Sequence, residues 1–253
     1  MNFEQVTPGL IPGFDFKTLD ALFVDLDDTL VDYRIPCRLG LQEIAKLVPG
    51  IRKVGIDTLE ADFHGILRDN LPKIFDNEIT VEKERLLRLD AVLRRYGKRA
   101  EKFELSFYDE LFQHVFWSNR RPSTGAIEFL ELCESVGIPV VAISNGNREI
   151  QERTLIETGI GDYIDTMLIP SNSGELKPGA AMFEKALEMT GAKRDNTIMI
   201  GDSWKYDVAG AINSGITPIW INSSGSGVPS LFECSVGIRH WRNCQIVEEA
   251  MVG

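Results

Sequence analysis

Five short apolar runs punctuate the chain: Leu19 to Val24, Ile138 to Ile143, Asp165 to Ile169, Thr197 to Ile200 and Ile216 to Ile221. Each is rich in Val and Ile and bounded by polar or turn residues, which fits strands covered on both faces. Pro139 and Pro218 weaken two of these assignments, since proline removes a ladder donor. Between the runs the apolar period changes to that of a helix. Phe129, Leu132, Cys133 and Val136 follow the i, i+3, i+4, i+7 rule, as do Phe183, Ala186, Leu187 and Thr190. Strand and helix alternate from about residue 121 onward, which predicts an α/β domain with a doubly wound parallel sheet.

The stretch from about Tyr33 to Arg120 breaks that alternation. It contains no convincing strand, but helical patterns are clear at Leu86, Leu89 and Leu93 and at Tyr108, Leu111, Phe112 and Val115. Structureless loops of this length are rare in compact domains. The expected organisation is therefore a core of residues 1–33 and 121–253, with a helical domain inserted at 34–120. No internal repeat is visible. Ser223-Ser224-Gly225-Ser226-Gly227 reads as a loop; it contains GxG without the full dinucleotide fingerprint.

Composition narrows the class. Of 253 residues, 43% are hydrophobic and 26% charged, as in ordinary globular proteins. No apolar run approaches the ~18 residues of a membrane span. Met1-Asn2-Phe3-Glu4-Gln5 lacks a basic region followed by an apolar stretch, so a cytoplasmic location is expected. Cys37, Cys133, Cys234 and Cys244 show neither CxxC nor zinc-ligand spacing and read as buried or partly buried thiols. A net charge of −11 repels a nucleic acid backbone. The basic cluster Arg94-Arg95-Tyr96-Gly97-Lys98-Arg99 reads as the solvated C-terminal end of a helix, with a local anion site as the alternative. An acidic protein acting on an anion must concentrate positive charge in one place.

Four polar groups fall just past the C-terminal ends of predicted strands or at the start of the following helix, the edge where open α/β sheets bind ligands. Asp25-Leu26-Asp27-Asp28-Thr29-Leu30 directly follows Leu22-Phe23-Val24. In extended chain, residues two apart share a face, so Asp25 and Asp27 can point the same way, one as nucleophile and one as proton donor. Ser144-Asn145-Gly146-Asn147 follows the second strand, with donors suited to an oxyanion or to a helix cap. Lys177, before Pro178 and the predicted first turn of a helix, can place one cation in the site. Gly201-Asp202-Ser203-Trp204-Lys205-Tyr206-Asp207 supplies carboxylates, hard oxygen ligands for a magnesium ion.

Taken together, these segments resemble the haloacid dehalogenase-like hydrolase superfamily, which carries four motifs at four strand ends in this order. DxDx(T/V) is matched by Asp25, Asp27 and Thr29, the Ser or Thr motif by Ser144, the Lys motif by Lys177, and the acidic GD…D motif by Asp202 and Asp207. The resemblance covers Leu19 to about Tyr33 and Arg121 to about Ile221. It implies a Rossmann-like core and, by position only, a helical cap of the family's first class. It further implies attack by Asp25 on phosphorus to form an aspartyl-phosphate, with Asp27 as general acid and then base. Mg²⁺ would be held by the Asp25 carboxylate, the Asp27 backbone carbonyl and Asp202, with Asp207 supporting from behind. Ser144, the Asn145 backbone and Lys177 would hold the phosphoryl oxygens, and Thr29 would orient the loop. Such cations are needed. Two like charges ~4 Å apart at an effective dielectric of ~20 repel by roughly 4 kcal/mol, about a thousandfold in rate.

The expected partner is a small phosphorylated metabolite such as a sugar phosphate or nucleotide, with neither nucleic acid nor membrane. Within the family, dehalogenation at carbon is disfavoured by Asp27, which dehalogenases lack. A phosphomutase shares the four motifs and differs in its cap. A P-type pump is excluded by length and the lack of spans. A non-catalytic binding protein would be expected to have lost a motif residue. In the insert, His64, Arg68, Lys73 and Arg85 are polar groups that could face substrate, though each reads first as a solvated surface residue.

Overall fold

The computed structural model describes residues 18–170, 176–222 and 237–238. The Ser223–Gly227 loop, Cys234 and Cys244 lie outside these residues. The chain divides after Asp32 and before Arg121 into two compact units.

The first unit is built on a parallel sheet of six strands: β1 (Ala21–Val24), β2 (Val140–Ile143), β3 (Thr166–Leu168), β4 (Thr197–Gly201), β5 (Thr217–Ile221) and β6 (Gly237–Ile238). Their order is β3-β2-β1-β4-β5-β6. The winding reverses between β1 and β4, the position at which sheets of this kind open a crevice. Val24 pairs with Ala142 on one side and with Ile200 on the other. Strands β1, β2 and β4 therefore end level, which brings Asp25, Ser144 and Asp202 to one edge.

Alternation along each strand gives the sheet two apolar faces. Leu22, Val24, Val140, Ala142, Ile198 and Ile200 pack with Phe129, Leu130 and Cys133 of α6 (Ala126–Val136). On the other face, Ala21, Phe23, Val141, Ile143 and Met199 pack with Met182, Phe183, Ala186 and Leu187 of α8 (Ala180–Thr190) and Ala211 of α9 (Ala209–Asn213). Helix α7 (Arg148–Thr158) follows β2.

Four strands begin later than their apolar runs: β1 at Ala21 rather than Leu19, β2 at Val140 rather than Ile138, β3 at Thr166 rather than Asp165 and β5 at Thr217 rather than Ile216. Pro139 stays outside β2, yet its carbonyl accepts from the Leu22 N–H at 2.8 Å. Pro218 lies within β5, ahead of the two residues that pair with β6. Strand β6 has no apolar run behind it and was not expected from the sequence.

The second unit, Tyr33–Arg120, is helical: α1 (Arg34–Leu47), α2 (Pro49–Arg52), α3 (Ile56–Phe75), α4 (Val81–Arg95) and α5 (Lys102–Ser118). It has its own core, including Leu41, Ile44, Leu59, Phe63, Leu89, Leu93, Tyr108, Phe112 and Phe116. Local signals start its helices. The Thr80 hydroxyl accepts from the Lys83 N–H to cap α4, and Glu101 and Glu104 form a capping box on α5. The basic run at the end of α4 is matched by acids, Arg94 with Asp90, Arg95 with Asp62 and Lys98 with Glu104. That fits a solvated helix end rather than an anion site. Among the described residues, no helix is long and apolar enough to cross a membrane.

Candidate active site

Asp25 leaves the end of β1 with its N–H still donating to the Ile200 carbonyl at 2.9 Å. The chain then turns sharply. Asp28 adopts a left-handed conformation at φ 58°, which Asp tolerates better than most residues. Its N–H donates to the Val31 carbonyl at 2.8 Å, and the Val31 N–H returns to the Leu26 carbonyl at 2.9 Å. Leu26, Leu30 and Val31 pin the turn into the core, and Thr29 is wholly buried within it. The aspartates are thus presented by a loop with little freedom.

Lys177 meets Asp25 from the far side of the sheet edge. Its Nζ donates to Asp25 Oδ1 at 2.5 Å, to Asp207 Oδ1 at 2.7 Å and to the Ile143 carbonyl at 2.5 Å. An ammonium has three N–H groups, so all are engaged. The lysine is almost fully buried at 2% exposure. Burial opposes its charge, but Asp207 and Asp25 outweigh burial and hold the ammonium protonated beyond its ordinary range. Pro178, expected in the first turn of the next helix, instead precedes the Gly179 cap of α8 and follows a cis peptide bond.

Asn145 secures this lysine. Its Nδ2 donates to the Lys177 carbonyl, and its Oδ1 accepts the Lys177 N–H, each at 2.8 Å. The helix cap at this junction is Asn147, whose side chain accepts from the Ile150 N–H, leaving Ser144 and Asn145 for other work.

Asp202 follows β4, with its carbonyl held by Trp220 Nε1 at 2.8 Å. Asp207 stands on a π-helical turn, Trp204–Val208, a form often found at functional sites. Its second oxygen accepts the Ser203 N–H at 2.9 Å. The approach of Asp207 depends on Gly201, where a Cβ would lie 2.4 Å from the carboxyl carbon.

A residue with no sequence motif joins the remaining groups. Gln151 of α7 is 1% exposed; its Nε2 donates to Asp27 Oδ2 at 2.7 Å and to Ser144 Oγ at 3.2 Å. The usable clue lies in the helix itself. Gln151, Thr154 and Thr158 are its buried positions, so α7 turns a polar face inward.

Charge is crowded at this edge. Oxygens of Asp25, Asp202 and Asp207 all lie within 4.8 Å of one another. Burial first, then Asp207 and Asp27, push Asp25 up to about 7 against the downward pull of Lys177. Burial again, then Asp25, Asp207 and Asp28, push Asp202 up to about 8. One lysine does not balance three carboxylates. Asp207 has both oxygens committed, which makes Asp25 and Asp202 the natural ligands. Hard oxygens with excess negative charge at this spacing fit a divalent cation.

In the helical unit, Arg85 is committed to Asp109 by two hydrogen bonds, 2.6 and 3.1 Å long. His64 Nε2 lies 3.7 Å from Glu60, with its pKa lowered chiefly by burial. Lys73 reaches Asn70 at 3.4 Å, and Arg68 is exposed.

A family model described as haloacid dehalogenase-like hydrolase matches residues 19–215. The chain is 33% identical over 207 residues to pyrimidine 5'-nucleotidase YjjG of Escherichia coli (strain K12), covering 81% of this chain and 86% of that one. It is 28% identical over 206 residues to the glyceraldehyde 3-phosphate phosphatase of Methanothermobacter thermautotrophicus, covering 81% and 86%. Among solved structures, the fold matches a phosphatase from Thermococcus onnurineus with a TM-score of 0.59 at 20% identity, covering 91% of this chain and 98% of that one.

Proposed function

The chain belongs to the haloacid dehalogenase-like hydrolase family and is a phosphoric monoester hydrolase; from this we propose that it releases phosphate from a small metabolite through attack by Asp25, with Mg²⁺ as the cation. The observation that carries the reading is the buried Lys177 ammonium between Asp25 and Asp207, beside Asp202, at the end of the central strand.

In this mechanism an Asp25 oxygen forms a bond to phosphorus as the ester P–O bond breaks. Asp27 gives its proton to the departing oxygen. Water then attacks the aspartyl-phosphate, returning a proton to Asp27 and freeing orthophosphate and the Asp25 carboxylate. Lys177 stays protonated throughout and offsets charge as it passes between Asp25 and the phosphoryl oxygens. Ser144 and the backbone beside it donate to those oxygens. Asp25, the Asp27 carbonyl and Asp202 would hold Mg²⁺, which would supply positive charge where an anionic nucleophile meets an anionic ester. Asp207 orients Lys177 and supports the cation site from behind.

The names of the relatives cover a pyrimidine nucleotide and a triose phosphate, which supports a small phosphorylated metabolite as substrate. The test is a screen of phosphorylated metabolites with phosphate release as readout, run with Mg²⁺ and with EDTA. At least one compound should release phosphate with Mg²⁺ and none with EDTA. Full activity in EDTA would remove the cation; no release from any compound would count against the hydrolase.

A further inference from the structure

We infer that Gln151 is a positioning residue that fixes both the proton donor Asp27 and the phosphoryl ligand Ser144, an inference that rests on the mechanism above. Its amide nitrogen carries two N–H groups. One goes to Asp27 Oδ2 at 2.7 Å and the other to Ser144 Oγ at 3.2 Å. The opposite orientation of the amide would set its oxygen against a carboxylate, so the nitrogen faces Asp27.

Each bond has a directional consequence. The bond at Oδ2 fixes the rotation of the Asp27 carboxyl, and with it the direction from which a proton reaches the leaving oxygen. Ser144 Oγ accepts from Gln151 and also from the Gly146 N–H at 3.0 Å. A hydroxyl has two lone pairs and one hydrogen. Both lone pairs are taken, so the Ser144 O–H is left as a donor, the form an anionic oxygen requires. One buried amide thereby sets the roles of two residues that lie on different strand ends.

Gly146 shows how close this packing is. A Cβ there would lie 2.2 Å from Gln151 Nε2 and 3.0 Å from its Cγ and Cδ. The glycine of Ser144-Asn145-Gly146 thus makes room for the amide. Gly146→Ala displaces Gln151 without touching it chemically.

The test compares two esters on wild type, Gln151→Met and Gly146→Ala, with thermal unfolding as a control on folding. One ester is an alkyl phosphate, whose leaving oxygen needs a proton; the other is p-nitrophenyl phosphate, which needs little help. For Gln151→Met, kcat on the alkyl ester should fall roughly tenfold to a hundredfold, the rate equivalent of one hydrogen bond to a charged group. On p-nitrophenyl phosphate kcat should change little while KM rises, reporting the loosened Ser144. Gly146→Ala should give the same asymmetry, and it serves alone if Gln151→Met does not fold. Equal losses on both esters, or no loss on either, would overturn the inference. The alkyl ester is one from which the wild type releases phosphate in the metabolite screen; a wild type that releases phosphate from no screened compound would overturn the proposed mechanism and this inference with it.

Discussion

The side-chain amide of Asn145 pairs with both backbone groups of Lys177, donating to its carbonyl and accepting its N–H at 2.8 Å each. The pair is separated by 32 positions in sequence, and the bonds set where the lysine enters the site. Asn145→Ala removes both. It should lower kcat/KM by about tenfold or more and cost about 1–3 kcal/mol of stability, since a buried N–H and carbonyl lose their partners. Steady-state kinetics and urea unfolding check this. A variant with wild-type kinetics would show that Lys177 needs no such hold.

Asp25 and Asp27 should separate by substrate. Asp25→Asn should abolish turnover and leave no phosphoenzyme trapped after acid quench. Asp27→Asn should still form a phosphoenzyme from aryl phosphates but lose far more, on the order of a hundredfold, with alkyl esters. Equal losses on both classes would argue against Asp27 as the proton donor.

Stability should depend on pH and cation together. Burial lifts Asp25 from 3.8 to about 7 and Asp202 from 3.8 to about 8. The folded state then binds protons at these two sites more tightly than the unfolded chain, so their contribution to metal-free stability is full below about pH 4 and is lost as pH rises through 7 and 8. Divalent cations compete for the same oxygens. Thermal unfolding in EDTA should show Tm falling from about pH 5 to about pH 8, with Mg²⁺ restoring it most at the alkaline end. Asp202→Asn should flatten both trends. A metal-free Tm that climbs through this range would refute the crowding described for these carboxylates.

Gly201→Ala tests the support of Asp207. The new methyl would meet a carboxylate that is 1% exposed and tied to Lys177 and Ser203. With no room to swing away, the variant should lose about 1–3 kcal/mol of stability and most of its activity. Denaturant unfolding decides the first part, and unchanged stability would contradict it.

The sheet was legible because its central strands β1, β2 and β4 are buried on both faces and so read as short, mainly apolar runs. Strand β6 was not, since two residues carry no period. Asp25 and Asp202 were legible because each directly follows a strand, and Lys177 and Asp207 because each belongs to a recognisable motif. Gln151 was not: a glutamine on a helix is ordinary until its neighbours across the fold are known. Asn145 was read for its backbone, while its side chain turned out to hold Lys177. That bond depends on β2 and the segment before α8 lying side by side, which no local pattern encodes.

Where the helical unit leaves and rejoins the sheet domain, the Asp32 N–H donates to the Arg121 carbonyl at 3.1 Å and Val31 bridges to Pro122. The two ends of the insertion are therefore clasped by the domain that receives it. Loop-closure cost grows only with the logarithm of length, about 0.6 kcal/mol per doubling. The domain is thus nearly indifferent to how many residues pass between Asp32 and Arg121. On the count of chain closure alone, this clasp is a socket that tolerates inserts of quite different length.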